Sequence, residues 1–108
     1  MRELAYIREF VWDSAKGLAD LAKHGVSFEE ASTVFADMKA LDADDIAHSS
    51  PSESRNQRLG ISGSGRVLLV VYTIRRLPDG QEAIRIISAR RASRKEKAAY
   101  SRFRDRFL

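Results

Sequence analysis

The pattern of hydrophobic residues along this 108-residue chain predicts an α+β fold built around a mainly antiparallel sheet. Two helix patterns joined by a glycine occupy residues 13–37, and an uninterrupted apolar run occupies residues 67–72. Turn-forming sequences at 62–65 and 77–80 flank that run and join it to its neighbours as hairpins. Because hairpin-linked strands pair antiparallel, the predicted order is β-α-α-β-β-β-α, with the helix pair on one face of the sheet.

The two helices are predicted near Asp13–His24 and Ser27–Asp37. The first residue of each range is a good N-cap, and Glu30 completes a capping box in the second helix. Gly25 is typical of the left-handed residue that ends a helix. Two helices this short need a third surface to bury their apolar stripes, and the sheet supplies it.

Helical spacing predicts which face of each helix is buried. In the first helix the predicted apolar face consists of Ala15, Leu18, Ala19 and Ala22. The opposite face, predicted to be solvated, consists of Lys16, Asp20 and Lys23. In the second helix the predicted apolar stripe consists of Ala31, Val34, Phe35 and Met38.

Arg66–Arg75 is predicted to be the central strand, because a strand that is apolar on both sides must be covered on both faces. The other strands are predicted at Leu4–Val11 on an edge, briefly near Ala40–Asp42, and at Ser54–Ser62 and Glu82–Ala89. A basic helix is predicted to end the chain. It opens at a second capping box, and its predicted cap and apolar residues are Ser93, Glu96, Ala99, Tyr100, Phe103 and Phe107.

Composition is that of a globular protein, and we expect one domain over residues 1–108. Hydrophobic residues are 44% and charged residues 31% of the chain. The absence of cysteine excludes disulfides and thiolate metal sites. Because the N-terminus has no apolar signal run and no apolar run could span a bilayer, we expect a cytoplasmic protein.

Charge is unevenly distributed along the chain. The net charge is +4, and between Arg85 and Arg106 basic residues outnumber acidic ones nine to two. Between Asp37 and Asp45 the balance is reversed. Such polarity favours a defined binding face for nucleic acid or for an acidic protein.

Three blocks of sequence resemble the BrnT family of toxins from bacterial type II toxin–antitoxin systems. The first block contains FxWDxxK at Phe10–Lys16 and KHGVxFEEA at Lys23–Ala31. The second block is ExRxxxLG at Glu53–Gly60, and the third is IRIISARRAS at Ile84–Ser93. The resemblance implies a fold similar to the RelE-type ribonuclease toxins and an activity in RNA cleavage. It also implies a small BrnA-like antitoxin with a ribbon-helix-helix part, which would make the DNA contacts of the complex.

RNA cleavage without a metal requires a base for the 2′-OH, a cation for the phosphate and an acid for the leaving oxygen. Arginine suits the phosphate because its planar fork donates two parallel hydrogen bonds. We therefore predict catalytic roles for Arg85, Arg90 and Arg55. His24 has a suitable intrinsic pKa for the base. A histidine in the last turn of a helix is also a favourable partner for the helix dipole.

Further predicted RNA contacts are Arg91, Lys16, Lys23 and Tyr100. Each has a plainer interpretation: the lysines as a solvated helix face, Tyr100 as a core residue, and Arg91 as a contact for the antitoxin. No phosphate-binding loop or zinc spacing is present, so we expect no cofactor or metal. The alternative to a ribonuclease is a non-catalytic basic module that binds nucleic acid or an acidic protein, and charge alone does not separate the two.

Overall fold

A computed structural model describes residues 9–105 of the chain. Its helices and strands lie, in chain order, at Phe10–Val11 (β1), Ser14–His24 (α1), Phe28–Thr33 (α2), Leu41–Asp44 (β2), Asn56–Ile61 (β3), Val67–Arg76 (β4), Glu82–Arg91 (β5) and Arg94–Asp105 (α3). Single turns of 3₁₀ helix follow α2 at Val34–Ala36 and β2 at Ile46–His48. The predicted α+β class and element order are confirmed, and the brief strand near Ala40–Asp42 forms as β2.

The strands form one sheet in the order β1-β5-β4-β3-β2. The predicted central strand is confirmed, since β4 lies in the middle and pairs antiparallel with β3 and β5. β1 lies at the edge and pairs parallel with β5 through Phe10 and Val11. The rest of the predicted strand Leu4–Val11 lies largely outside the described residues, as does Phe107. None of the helices within residues 9–105 is long and apolar enough to cross a membrane.

Alternate residues of β4 are buried on opposite faces of the sheet, as the two-sided apolar run predicts. On one face Leu68, Val70 and Tyr72 join the core beneath the helix pair, where Phe28 and Val34 are also fully buried. On the other face Leu69 joins a smaller core that α3 closes, and its buried members are Leu59, Leu69, Ala92 and Tyr100. We call this second surface the α3 face.

The predicted caps and turns are confirmed. The Asp13 carboxylate accepts the N–H of Lys16 at 3.0 Å, and the Ser27 hydroxyl accepts the N–H of Glu30 at 3.0 Å. Gly25 ends α1 with φ +70°, the left-handed conformation that favours glycine. Local hydrogen bonds of this kind depend only on residues close in sequence, which is why the sequence predicts them well.

The predicted buried face of α1 is wrong. The residues that α1 buries are Gly17 and Asp20, whereas Leu18 is 69% exposed. The whole predicted apolar face is exposed, and it consists of Ala15, Leu18, Ala19 and Ala22. The helix approaches its neighbours closely at Gly17, where an added Cβ would lie 3.3 Å from Trp12 Cδ1.

Asp20 turns inward because β5 has an unpaired edge. β1 pairs only with Ile84 and Arg85, so the strand beyond them has no neighbour on that side among the described residues. Asp20 Oδ2 accepts the N–H of Ala89 at 2.9 Å, and Lys16 Nζ donates to Asp20 Oδ1 at 2.9 Å. A buried peptide N–H needs a partner, and a carboxylate supplies it here.

The second helix is shorter than predicted. α2 ends at Thr33, and a 3₁₀ turn replaces its predicted last turn. Because a 3₁₀ helix has three residues per turn, the apolar stripe does not continue at α-helical spacing. Ala31 and Val34 are buried as predicted, but Met38 is 98% exposed, so its assignment to the stripe is wrong.

Candidate functional site

Only part of the α3 face lies beneath α3. The helix closes over Leu59 and Leu69. By strand register, the next positions along this face are Gln57, Val71 and Ser88, followed by Thr73 and Arg85. Cavities open on this part of the face, which we call the uncovered half. It has the concave, partly polar character of a ligand site.

A β-bulge in β5 decides which arginines point to this half. Val71 pairs with Ser88 and Tyr72 with Ile86, so Ile87 has no partner in β4. In a regular strand, residues separated by three or five positions lie on opposite faces. The extra residue cancels that alternation and places Arg85, Ser88 and Arg90 on the same face. Bulges commonly re-aim side chains in this way next to active sites.

His24 and Arg90 line one cavity, of about 280 Å³, at the border between the uncovered half and α3. The other residues of its lining are Leu69, Val71, Ser88 and Ala89. His24 reaches it because α1 runs along the open edge of β5 and ends there. The structure therefore brings together two of the predicted catalytic residues that are far apart in sequence.

Arg90 is held by Glu96 in a two-pronged ion pair. Its Nη1 and Nη2 donate to the two carboxylate oxygens at 2.8 and 2.9 Å. The hydrogen bonds from Arg90 hold the pKa of Glu96 at about 2, and the same pairing raises the pKa of Arg90. Glu96 also accepts the N–H of Ser93 at 2.8 Å, so the pair ties the end of β5 to the start of α3. The capping box predicted at Ser93 and Glu96 is confirmed, and its Glu96 carboxylate also pairs with Arg90.

Arg85 has no such partner. Its side chain is half-buried and makes no hydrogen bond or ion pair with any residue that the structure describes. It lines a second cavity, of about 270 Å³, together with Val11, Trp12, Asp13 and Arg75. Its guanidinium is thus held on a strand with donors that no described residue uses, and such donors are suited to a phosphate ligand.

Arg55 lies farther along, beside Glu53. Arg55 Nε donates to Glu53 Oε1 at 3.0 Å, and Glu53 Oε2 lies 3.9 Å from Arg75 Nη2. The carboxylate therefore lies between two arginines, one of which shares the cavity of Arg85. This cluster continues the positive charge of the site toward the far end of β4.

The structure places the other predicted contacts away from this site. Arg91 is exposed and lies on the opposite face of β5, near Gly25, because it follows Arg90 directly. Lys23 is exposed on α1, and Lys16 is paired with Asp20. Tyr100 is 3% exposed and donates to Asp37 Oδ2 at 2.6 Å. Its buried ring is not available to stack on a base.

Sequence reasoning missed Arg75 and Ser88. Arg75 lies two positions beyond Thr73, and strand alternation could have placed it on the same face. The position of Ser88 depends on the bulge, which leaves no clear mark in the sequence. No group of three or more metal-ligating side chains lies together within residues 9–105.

Comparison with known families shows the class to which this fold and site belong. The chain matches the family model described as ribonuclease toxin, BrnT, of type II toxin–antitoxin system over residues 12–96. It is therefore a ribonuclease toxin of a type II toxin–antitoxin system. Within that class it belongs to the BrnT family, whose matched region contains His24, Arg55, Arg85 and Arg90. No curated protein matches the chain.

Proposed function

We propose that this toxin is a metal-independent endoribonuclease that cleaves RNA through the ribose 2′-OH and thereby inhibits translation. The observation that supports the proposal is the β5 bulge: Arg85, Ser88 and Arg90 lie on one sheet face, and His24 lines a cavity there with Ser88 and Arg90. These residues supply an acid–base group and cations around one surface, and this chemistry needs no further reactive group.

In the proposed reaction His24 takes the proton of the 2′-OH at an imidazole nitrogen. The 2′-oxygen then forms a bond to phosphorus, the bond from phosphorus to the 5′-oxygen breaks, the leaving oxygen takes a proton from a water molecule, and His24 returns its proton to solvent. The products carry a 2′,3′-cyclic phosphate and a 5′-hydroxyl. Glu53 is the other candidate base, because its carboxylate lies between Arg55 and Arg75.

Arg85 is proposed to bind the non-bridging phosphate oxygens and to stabilise the charge that they gain. Its guanidinium, which bonds to no residue in the described range 9–105, suits this role better than that of Arg90, whose two terminal nitrogens already donate to Glu96. Arg90 adds positive charge to the wall of the His24 cavity. Arg55 adds charge near Arg75, and the exposed side chains of Lys23 and Arg91 are proposed contacts for the flanking RNA.

The test is cleavage of RNA by the purified protein in the presence of a chelator. We expect fragments with cyclic-phosphate ends. Arg85→Ala should reduce cleavage on the order of 10²-fold or more, because it removes a transition-state contact. Arg85→Lys should keep the charge but lose the bidentate fork, so its cleavage rate should lie between those of the parent protein and Arg85→Ala. Thermal melting should change little, since Arg85 bonds to no described residue.

The matched control is Arg102→Ala, which removes an equal charge from an exposed position on α3. Arg90→Ala needs a different control, because its loss also breaks the bond to Glu96. Glu96→Gln separates that structural loss from a direct effect of Arg90 on cleavage. Full activity in both Arg85→Ala and Arg90→Ala would remove both residues from the site. Binding of RNA without cleavage would favour the non-catalytic module instead.

We further propose that a BrnA-like antitoxin with a ribbon-helix-helix part neutralises the toxin in the cytoplasm and makes the DNA contacts of the complex. The support is the exposed basic surface of α3, whose side chains are Arg94, Lys95, Lys97, Arg102 and Arg104. If an acidic segment docks there, the association rate should fall as salt rises. Association that does not respond to salt would contradict this arrangement.

A further inference from the structure

A third and larger cavity lies at the far end of β4. Its volume is about 520 Å³, and it is bounded by Ser52–Ser54 on one side and Thr73–Arg76 on the other. Arg75 lines both this cavity and the smaller one that contains Arg85. The two cavities therefore adjoin at Arg75, and the larger one lies on the side of Arg75 that is farther from Arg85.

The wall that β4 contributes has no strand beside it on the β3 side. The ladder between β3 and β4 ends where Asn56 pairs with Tyr72, whereas β4 continues to Arg76. At the next position the Thr73 hydroxyl, rather than a strand, bridges the gap by donating to the Ser54 carbonyl at 2.8 Å. Peptide groups at such an edge can bind the polar groups of a ligand.

Arg75 is the cation that the two cavities share. Its side chain is 47% exposed, and its Nη2 lies 3.9 Å from Glu53 Oε2, which is too long for a hydrogen bond. The nearer partner of Glu53 is Arg55, at 3.0 Å. Arg75 is therefore oriented by a carboxylate while its donors remain available to an anion.

The position of Arg75 relative to Arg85 suits successive phosphates of one strand. Arg85 pairs with Thr73, so Arg75 is the next residue of β4 on the same face, about 7 Å farther along. Beyond it, the amide of Asn56 and the serine hydroxyls offer donors and acceptors for a base or a ribose. The volume falls within the range of small-ligand pockets.

We infer that this cavity is a subsite for the nucleotide one step beyond the two that flank the cleaved bond, and that Arg75 binds the phosphate that joins that nucleotide to the substrate. The inference rests on the proposed cleavage of RNA at Arg85. A subsite of this kind adds nothing to a substrate too short to reach it, and this property separates Arg75 from residues that act at the cleaved bond.

The experiment uses oligodeoxynucleotides with a single ribonucleotide, so that cleavage occurs at one bond. Substrates are extended one nucleotide at a time, in either the 5′ or the 3′ direction, from a dinucleotide to a hexanucleotide. For the parent protein we expect kcat/KM to rise by about tenfold or more when the chain first reaches the cavity, as for a charge-assisted hydrogen bond. Arg75→Ala should remove that increment, so that its loss relative to the parent protein is about tenfold or more greater on the longer substrates than on the dinucleotide.

Two variants serve as controls, with melting measured in parallel. Arg75→Lys should retain part of the increment, and Arg102→Ala should retain all of it. An Arg75→Ala protein that loses the same factor on every length, or on none, would overturn the subsite. If no substrate is cleaved, the proposed function fails. In that case the same length series of all-deoxy strands, measured by fluorescence anisotropy, still tests the subsite through the increment in binding and its loss in Arg75→Ala.

Discussion

Replacing Asp20 tests whether its carboxylate holds the open edge of β5. Asp20 is 5% exposed, and its Oδ2 accepts the buried N–H of Ala89 at 2.9 Å. In Asp20→Ala that N–H loses its acceptor, which costs about 1–3 kcal/mol. Loss of the ion pair with the half-exposed Lys16 adds about 0–1 kcal/mol to the destabilisation. The sum, about 1–4 kcal/mol, corresponds to a melting temperature lower by roughly 5–30 °C in a domain of this size.

Asp20→Asn is the matched variant. Its amide oxygen can still accept from Ala89, so we expect a loss of only about 1 kcal/mol, from the charge alone. Asp44→Asn removes an equal charge from an exposed strand position and should stay within about 0.5 kcal/mol of the parent. Urea and thermal unfolding, followed by circular dichroism, measure all three. An Asp20→Ala protein as stable as the parent, or an Asp20→Asn protein as unstable as Asp20→Ala, would refute the reasoning.

The same carboxylate contributes to acid sensitivity. Burial works to raise the pKa of Asp20, but the hydrogen bonds from Lys16 and from the Ala89 N–H outweigh it and hold the pKa below its usual value of 3.8. A group whose pKa is lower in the folded state stabilises that state above the unfolded pKa. That contribution is lost as the pH falls below 3.8. The stability difference between the parent and Asp20→Asn should therefore shrink in acid.

Three further predictions concern other contacts. Gly25→Val should destabilise by about 1–2 kcal/mol, because a β-branched residue resists φ +70°, and Gly25→Asn should cost less; equal melting temperatures for all three proteins would contradict this. Hydrogen bonds from Arg66 hold the pKa of Glu30 at about 2, so the advantage of the parent over Glu30→Gln should disappear between about pH 4.5 and pH 2 in thermal melts. Burial and the bond to Asp37 raise the pKa of Tyr100 to about 12, and burial with the bond to Asp42 also raises the pKa of Tyr72, so ultraviolet titration should show two phenols ionising well above 10, and Tyr100→Phe should remove one of the two.

The pairing of Arg90 with Glu96 assigns different roles to Arg85 and Arg90, which the sequence alone makes equally plausible as catalytic residues. Arg85 donates to no residue within the part of the chain that the structure describes, whereas the two terminal nitrogens of Arg90 join β5 to α3. Loss of Arg90 should therefore affect both stability and cleavage, and loss of Arg85 should affect mainly cleavage. A screen that measures activity alone would not distinguish these outcomes.

The sequence by itself determined the features that depend on neighbouring residues. Capping by Asp13 and Ser27, the left-handed Gly25 and the two-sided strand Val67–Arg76 follow from hydrogen-bonding capacity, backbone sterics and apolar pattern over a few positions. These features were enough to predict the α+β class and the element order. They also indicated the arginines of β5 as candidate site residues, because the apolar neighbours of a charged residue in a strand set the direction of its side chain.

Only the tertiary structure decided which way those side chains face and what they meet. The bulge at Ile87 places Arg85 and Arg90 together, although regular alternation would separate them. The apolar face of α1 turned outward, because the free N–H of Ala89 required a carboxylate and Gly17 allowed close approach. Both outcomes depend on satisfying backbone groups across a sheet edge. Such a requirement arises only when distant segments come together, so no local pattern reveals it.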